Sequence, residues 1–422
     1  MNVPIIEIQL DIPDVRVLRT EIDAQGDYVI TVESTQEWTR CHRCGRVIHR
    51  VHGHDREITL RHLPILGRPV YIHICPKRFE CLTCEGRPTT TQTLPWHAPR
   101  SPHTRAYETS LLLQLVDSTV AEVSRREGLG YEAVMGTIDR SMDTDVDWNS
   151  FQDLDTLGLD EISLKKGHQN FVTIVTSRSP IGQIRLVAVL KDRKKATVKA
   201  FFLSIPKQLR KTIRTVCSDL YDGFINGARE ILGQKVHIVA DRFHVAKLYR
   251  KGLDTLRKKE MKRLKKALSQ DDYQELRGVM WLLRKKSDRL TADEQKKLKT
   301  LFKHSPALGA AYIMCEQLTH ILDEPLSRTE GENKLRAWKE LIEDSALTCF
   351  DSFLVTLDAH MEEIANYFIE RKNSGFVEGL NNKIKIITRR CYGIFNIKHL
   401  FQRITISLEA DKNFAFPTMS CA

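Results

Sequence analysis

The sequence predicts a multidomain protein of the α+β class, and three observations support that prediction. Paired cysteines lie among short strand-like runs near the start. A compact helical stretch follows residue 100, and strand-like and helical segments then alternate until a long helical stretch interrupts them. A chain of 422 residues is expected to form several domains. Its hydrophobic content of 41% is enough to bury their cores.

The charge balance favours an anionic partner. Lysine and arginine number 65 against 54 acids, a formal net charge of +11. Basic surfaces bind phosphates with release of counterions, so nucleic acid is the simplest partner. The first residues mix acids with apolar side chains and lack the basic stretch of a signal peptide. No run approaches the roughly 18 apolar residues of a membrane span. We therefore expect a cytoplasmic protein without a membrane partner.

Two Cys-x-x-Cys pairs mark residues 1–95 as a zinc-ribbon domain. Each pair forms a tight turn that presents two thiolates, and two such turns complete a tetrahedral structural Zn²⁺ site. In a chain without a secretion signal, this spacing indicates metal ligands rather than disulfides. Cys75 lies in a strand-like run and is expected to be a buried apolar filler. The predicted ligands of one structural zinc ion are Cys41, Cys44, Cys81 and Cys84.

Residues 100–145 have the layout of a helix-turn-helix domain. Prolines at 95, 99 and 102 mark the boundary before it. Helical periodicity covers Leu111–Val116, Ser118–Glu127 and Tyr131–Met142, with a glycine turn over residues 128–130. In a DNA-binding version, the last helix enters the major groove. The alternative is an ordinary three-helix linker domain.

The remaining chain predicts an α/β domain with a helical interruption. Beyond an acidic linker, the order is three strands, a helix, a strand, a helix and a strand, which is the order of an RNase H-like domain. Residues 246–372 are too long for a loop and indicate an all-α insertion. The predicted core therefore comprises residues 155–245 and the last helices at 373–410. The predicted strands are Leu157–Ser163, Phe171–Thr176, Gln183–Leu190, Ile213–Ser218 and Val236–Ala240; the predicted helices include Thr197–Thr212 and Gln274–Arg284.

Three acids fit the catalytic positions of that layout. Asp160 lies on the first strand, Asp219 closes the fourth, and Glu378 is the best candidate on a late helix. Carboxylates so placed hold two Mg²⁺ ions about 4 Å apart across a scissile phosphate. Glu161 is expected to point to the opposite face of its strand. A lone aspartate at a strand end more often forms a turn or cap, so the assignment depends on the set. The basic residues expected to contact DNA are Lys383, Lys385, Arg389 and Arg390, followed by Lys398 and Arg403.

The sequence resembles bacterial insertion-sequence transposases of the insertion-sequence-L-three family over essentially its whole length. The resemblance lies in CHRCG, FECLTC, the helix-turn-helix, LGLDEISLKKGH, VADRFHV and SGFVEGLNNKIKIITRRCYGIFN. It implies a DDE transposase with a zinc ribbon, a helix-turn-helix and an RNase H-like core, in which Asp160, Asp219 and Glu378 are the DDE set. It also implies a supporting role for Asp241 and His244, which fit a Cys/Asp-x-x-His pattern of related transposases with helical insertions.

The implied activity is Mg²⁺-dependent cleavage at the terminal inverted repeats of an insertion sequence, followed by strand transfer into target DNA. The implied partners are double-stranded DNA and further copies of the chain. The alternatives are a transposase-derived DNA-binding regulator without catalysis and a stand-alone RNase H-like nuclease. Asp222 and Asp241 stay open as the second acid in place of Asp219. Trp338 in the insertion is expected to be a core residue, with base stacking as the alternative.

Overall fold

The computed structural model describes residues 8–165, 169–371, 375–391, 393–394 and 396–413. The chain divides into two compact units, one formed by 1–143 with 402–422 and the other by 144–401. Within the described ranges, no helix is both long and apolar enough to cross a membrane.

The β region of the first unit consists of short strands around the cysteine turns. Its sheets have the orders β1-β2-β7-β6, β3-β4 and β5-β8-β9. Along β7, Val70, Ile72 and Ile74 alternate with more exposed residues and are buried, because successive strand side chains point to opposite faces. Leu94 and Trp96 pack into the same core. The strands are β1 (Val15–Ile22), β2 (Tyr28–Ser34), β3 (Thr39–Arg40), β4 (Val47–Ile48), β5 (Arg50–His54), β6 (Ile58–Ile65), β7 (Arg68–Ile74), β8 (Lys77–Glu80) and β9 (Thr89–Thr91).

A helical bundle completes the first unit. Thr119 accepts a hydrogen bond from the backbone of Glu122 and so caps the second helix. Gly128, at φ +65°, ends that helix in the left-handed region, as the glycine turn predicts. Arg403 and Ile406, from the last helix, are buried in this unit. The helices are α1 (Arg105–Val116), α2 (Val120–Glu127), α3 (Tyr131–Ser141) and, later in the chain, the helix at Ile397–Asn413.

The second unit is built on a mixed sheet with the order β12-β11-β10-β13-β14. β10 pairs antiparallel with β11, and β10, β13 and β14 run parallel. The predicted single helix over Thr197–Thr212 is wrong: it splits at Ile205-Pro206, because proline disfavours helix at the preceding residue. The elements are β10 (Thr156–Lys165), β11 (Gln169–Arg178), β12 (Ile184–Leu190), α4 (Lys195–Ser204), α5 (Lys207–Arg210), β13 (Thr215–Ser218), α6 (Asp222–Leu232) and β14 (His237–Ala240).

The two faces of this sheet pack against different helices. Leu157, Leu159 and Val216 join α4 and α6 in one core. Cys217 and Val239, on the opposite face, join a core formed by the helices after β14. The parallel strands β10, β13 and β14 therefore end between two helical layers.

Helices fill the stretch after β14. The predicted helix Gln274–Arg284 is wrong, because Gly278 at φ +85° separates two short helices. Trp338 is only 1% exposed and donates from Nε1 to the Met314 carbonyl at 2.9 Å, which confirms it as a core residue. The helices are α7 (Arg242–Ala267), α8 (Gln270–Glu275), α9 (Val279–Leu282), α10 (Ala292–His304), α11 (Pro306–Asp323), α12 (Arg328–Glu343), α13 (Asp351–Ala359), α14 (Met361–Ala365), α15 (Tyr367–Glu370), α16 (Gly375–Arg390) and α17 (Ile397–Asn413).

Candidate metal centres

The two cysteine pairs occupy two similar backbone turns. Cys41 follows β3, and its N–H donates to the Arg46 carbonyl at 2.8 Å. Gly45, at φ +70°, donates to the Cys41 carbonyl at 2.9 Å and closes the first turn. Cys81 follows β8, and its N–H donates to the Pro88 carbonyl at 3.0 Å. The backbone therefore holds both pairs in tight turns.

The four cysteine sulfurs form a compact cluster. All lie within 4.8 Å of one another, with Cys41 and Cys84 Sγ 3.9 Å apart and Cys44 and Cys81 Sγ 3.8 Å apart. A tetrahedral zinc ion with Zn–S bonds of about 2.3 Å requires S···S edges of about 3.8 Å, so the cluster fits this ion. The Thr83 hydroxyl lowers the pKa of Cys81 to about 6, which favours the thiolate that binds zinc.

Cys75 is outside this cluster, but it is not the buried filler that the sequence predicts. It is exposed. β7 ends at Ile74, whose side chain is buried, so the next residue points away from the core as the chain turns towards β8.

Three aspartates occupy one level of the sheet, just beyond the residues at which the parallel pairing of β10, β13 and β14 ends. Three residues lie side by side on β10, β13 and β14, and each is followed directly by an aspartate: Asp160, Asp219 or Asp241. The Asp241 N–H donates to the Ser218 carbonyl at 2.8 Å, which extends the ladder to this level. Neighbouring strands are about 4.8 Å apart, so each aspartate has another one strand away. The paired residues that precede them are Leu159, Ser218 and Ala240.

Asp160 is held by two hydrogen bonds. Its Oδ1 accepts from the Glu161 backbone N–H at 2.7 Å, and its Oδ2 accepts from the side-chain amide of Asn381 on α16. Burial raises the pKa of Asp160, and the negative charge of Asp241 acts in the same direction. Glu161 forms an ion pair with Arg193, with Oε1 3.1 Å from the guanidinium. As the next residue on the strand, Glu161 points to the opposite face of the sheet from Asp160.

Asp219 is the most strongly perturbed acid of this group. Burial raises its pKa to about 6, and the negative charges of Glu161 and Asp160 add to the effect. Its Oδ1 accepts a hydrogen bond of 3.3 Å from the Tyr221 N–H. A half-buried carboxylate with carboxylate neighbours is stabilised in its charged form by a bound cation. Asp222 is instead an exposed residue at the start of α6.

Asp241 makes both a helix cap and an ion pair. Its Oδ1 accepts from the Phe243 N–H at 2.8 Å at the start of α7, and its Oδ2 lies 2.7 Å from Nδ1 of His244. This hydrogen bond raises the pKa of His244, and the charges of Asp160 and Asp219 act in the same direction. The raised pKa favours the protonated form of the His244 imidazole, which interacts with all three acids.

The late helix α16 brings a residue to the site that the sequence did not identify. Asn381 is buried and bound to Asp160. Glu378 lies three positions earlier on the same helix, about one turn away, and its side chain is outside the described residues. Asn381 could have been identified from the sequence by its position one helical turn after Glu378, the predicted ligand. The predicted DNA-contacting residues of this helix are exposed: Lys383, Lys385, Arg389 and Arg390.

Arg403 does not fit the DNA-contacting role that the sequence suggested. It is buried and donates from Nη2 to the carbonyls of Leu115 and Ser118, both at 2.8 Å. Leu115 is in the last turn of α1, whose carbonyls need a donor, and Ser118 lies in the turn between α1 and α2. The guanidinium is thus a helix cap of the first unit.

Comparisons with known proteins cover most of the chain. A family model of ISL3-type DDE transposases, described as "Transposase", matches residues 157–404. The helix-turn-helix domain of transposase family ISL3 matches residues 92–141, and the zinc-finger of transposase IS204/IS1001/IS1096/IS1165 matches residues 38–84.

Individual relatives and a solved structure give similar matches. The chain is 28% identical over 389 residues to the transposase for insertion sequence element IS1001 of Bordetella parapertussis, covering 89% of this chain and 90% of the relative. It is 24% identical over 374 residues to the transposase for IS1557 of Mycobacterium tuberculosis, covering 84% and 82%. The Drosophila P element transposase strand transfer complex matches with a TM-score of 0.40 and 10% identity, covering 73% of this chain and 92% of that chain.

Proposed function

Since the chain belongs to the ISL3 family of DDE transposases, DNA-binding enzymes that cut and transfer DNA strands, we propose that it acts through Mg²⁺ held by Asp160, Asp219 and Glu378. Its substrate in this proposal is the terminal inverted repeats of an insertion sequence. The sheet order, with helices inserted between β14 and α16, supports an RNase H-like core with an all-α insertion at about residues 246–372.

The observation that carries the proposal is the placement of Asp160 and Asp219 on adjacent parallel strands at one level. Strands about 4.8 Å apart bring two carboxylates close enough to share cations about 4 Å apart. Asp241 is two strands from Asp160, and both of its oxygens already bind α7 and His244. Asp219 is therefore favoured over Asp241 as the second acid.

The third ligand follows from how α16 is attached to β10. The Asn381 amide binds Asp160, which fixes this helix to the first acid. Glu378 is one helical turn before Asn381, so its backbone is near the same group. We assign the third metal-binding position to Glu378 on this basis.

The chemistry divides between the cations and the chain. When bound, two Mg²⁺ ions activate a water or 3′-hydroxyl and stabilise the leaving oxygen. Asp160 and Asp219 supply hard oxygen ligands, which Mg²⁺ prefers. Asn381 orients Asp160, and Asp241 orients His244 beside the acids. The positive charge of Lys385 lowers the pKa of Asp160, so this exposed lysine adds positive charge on the side of the site where DNA would bind.

The first unit supplies the DNA-reading part of the proposal. Its four cysteines hold one structural Zn²⁺, and α3 of the helix-turn-helix reads the major groove of the terminal repeats. Exposed cations of α16 would contact the DNA backbone. Two element ends must be processed together, so we propose that the protein acts as a homo-oligomer on DNA.

A cleavage assay tests the metal ligands. The substrate is a labelled duplex that carries the DNA flanking this gene, incubated with Mg²⁺ and the full-length protein. We expect Asp219→Asn to reduce cleavage by about a thousandfold or more, since it removes a metal ligand, and Asp241→Asn to reduce it by about tenfold, since it weakens only the support of His244. Asp222→Asn, at an exposed acid three residues away, is the matched control and should keep full activity.

Other results would point elsewhere. Loss of cleavage in Asp241→Asn with activity retained in Asp219→Asn would assign the second ligand to Asp241. Tight binding of the element ends without any Mg²⁺- or Mn²⁺-dependent cleavage would favour the DNA-binding regulator.

A further inference from the structure

A short helix, α15, carries the chain from the inserted helices back to the carboxylate centre. It covers Tyr367–Glu370, between α14 and α16, and α16 is the helix that brings Asn381 to Asp160. The position of α15 therefore influences where α16 begins. Hydrogen bonds hold α15 and the residues beside it from two sides, one formed by the sheet and the other by the inserted helices.

The attachment to the sheet is made by Asn366 and Tyr367. The Asn366 side-chain amide donates to the Ile238 carbonyl of β14 at 3.0 Å. Arg242, the first residue of α7, donates from Nη1 to the Tyr367 hydroxyl at 3.2 Å, and its guanidinium lies 5.7 Å from the centre of the Tyr367 ring. Arg242 directly follows Asp241 in the sequence, so α15 is attached to the sheet next to one of the three aspartates.

Arg371 makes the attachment to the inserted helices. Its guanidinium donates to three consecutive carbonyls, those of Leu322 at 3.2 Å, of Asp323 at 3.0 Å and of Glu324. They lie at the C-terminal end of α11, where carbonyls lack partners within the helix and the helix dipole favours a cation. Nη2 of Arg371 also donates to the Tyr367 hydroxyl at 3.4 Å. One guanidinium therefore joins the end of α11 to α15.

The backbone at Arg371 has a conformation that residues other than glycine rarely adopt. Its φ is +51°, in the left-handed region, directly after the end of α15. Such a conformation persists where surrounding contacts hold it, and the hydrogen bonds to the end of α11 are contacts of this kind. Since α16 begins shortly afterwards, at Gly375, these hydrogen bonds fix the direction in which the chain approaches the catalytic helix.

We infer that Arg371 is a positioning residue of the carboxylate centre. By holding α15 to the end of α11, it fixes α16 where Asn381 meets Asp160 and where Glu378 would supply the third ligand. This inference rests on the proposed function, which assigns a divalent metal to the centre. It gives the inserted helices a part in assembling that centre, because α11 is one of them.

Metal binding by the full-length protein without DNA tests this inference. Mn²⁺, which suits the same oxygen ligands as Mg²⁺, is titrated, and the free ion is measured by electron paramagnetic resonance. Asp219→Asn identifies the ion that binds at the carboxylates. We expect Arg371→Ala to weaken this binding by about tenfold or more, as loss of groups that orient metal ligands does. Hydrogen exchange should show lower protection of α16 in the same variant.

Three further variants separate the guanidinium from other effects. Arg371→Lys keeps the charge but cannot span three carbonyls, so its affinity should be intermediate. Arg371→Gly removes the guanidinium and adopts a positive φ without strain, so it should bind as weakly as Arg371→Ala. Tyr367→Phe removes only the hydroxyl that accepts from the two arginines and should give a smaller loss.

Arg336→Ala is the matched control. Arg336 is an exposed residue of α12 and pairs with Glu332 on its own helix at 2.7 Å. It should bind Mn²⁺ as the wild type does. Thermal melting of each variant shows whether a change of affinity is accompanied by a loss of folding.

The outcomes separate this inference from the proposed function. Unchanged Mn²⁺ affinity in Arg371→Ala, with a lower melting temperature, would make Arg371 only a cap of α11 and overturn the inference, even if the wild type cleaves DNA. Wild-type affinity in Arg371→Gly with a loss in Arg371→Ala would assign the effect to backbone strain and also overturn it. Weaker binding in both variants of a protein that never cleaves DNA supports the positioning role and contradicts the proposed function. If both variants fail to fold, wild-type affinity in Arg371→Lys and Tyr367→Phe overturns the inference.

Discussion

The four-cysteine cluster and the carboxylate centre are both candidate metal sites, but they are constructed in opposite ways. The cysteines come from two short turns whose backbone hydrogen bonds fix each pair, and their sulfurs already lie at tetrahedral spacing. The three aspartates are distant in sequence, one within β10 and two directly after β13 and β14, and burial and the charges of Glu161 and Asp160 raise the pKa of Asp219. Four soft ligands make a closed structural site, whereas hard oxygen ligands at a half-buried edge leave room for substrate.

The two centres also differ in whether neighbouring or distant residues of the sequence determine them. The cysteines of each pair are separated by two residues, so spacing alone identifies the candidate zinc ligands. The carboxylates meet only because the strand order β10-β13-β14 brings residues 160, 219 and 241 to one level. Four predictions test how far the two centres differ.

Removing zinc should have the largest effect, and it should be confined to the first unit. Structural zinc contributes on the order of 10 kcal/mol to the folding of small zinc domains, so Cys81→Ser or chelation should unfold the ribbon. Hydrogen exchange should show loss of protection in β3–β9 with the protection of β10–β14 retained. Cys75→Ser, at an exposed cysteine outside the cluster, is the control and should change neither. A ribbon that stays protected after chelation would show that the cluster is not structural.

Asn381→Ala should weaken the carboxylate centre without unfolding the protein. It removes the hydrogen bond that fixes Asp160 and α16, and such supporting groups typically cost about 10–100-fold in metal affinity or activity. We expect a higher Mg²⁺ requirement in the cleavage assay. The neighbouring Asn382→Ala, at an exposed position of the same helix, should behave as wild type. Equal loss in both variants would mean that the helix itself, not the Asp160 contact, is affected.

The pH dependence of stability should distinguish the centres in the absence of Mg²⁺. The pKa of Asp219 is about 6 in the folded protein against an ordinary 3.8, so the folded state binds the proton more tightly. This contribution is complete below pH 3.8 and is lost as the pH rises through about 6. After allowance for solvent screening, the loss should be about 1–2 kcal/mol.

The free energy of unfolding of the second unit, measured by denaturant melting, should therefore fall by about 1–2 kcal/mol between pH 4 and pH 6, and added Mg²⁺ should restore it. Asp219→Asn should remove both the slope and the Mg²⁺ effect. A slope that persists in this variant would assign the titration to another group.

The smallest effect is expected for Asp241→Ala. Loss of its cap on α7 should cost about 1 kcal/mol of folding stability. The pKa of His244 should fall, because its hydrogen-bonded carboxylate is gone. Nuclear magnetic resonance titration of the imidazole measures this change. Asp241→Asn should keep the cap and still lower the pKa of His244; an unchanged pKa in both variants would place the main partner of His244 elsewhere.

Much of the fold was predictable because its signals are local. The cysteine spacing, the glycine turn at residues 128–130 and the strand ends at Asp219 and Asp241 are each visible within a few residues. The break at Pro206 was also visible, but helical periodicity continued across it. Periodicity also continued across Gly278, where the backbone is left-handed.

The remaining features depend on contacts that no local pattern contains. In the sequence, Asn381 looks like an ordinary polar residue of a helix, and only the fold shows that its amide donates to Asp160. Arg403 resembles a surface cation, although the fold buries it against the end of α1. Phe243 resembles a core residue after a strand, yet it is exposed beside His244. Each role is set by a partner distant in sequence.

The position of Arg403 and Ile406 has a consequence for synthesis of the protein. Both belong to the last helix, yet both complete the core of the unit that contains the N-terminal helices. During translation, the end of α1 lacks this donor until residue 403 has been synthesised. A prematurely terminated product would carry the cysteine turns and α1–α3 without this final piece. A chain can therefore complete the first unit only if it also contains residues 144–401, which form the second unit.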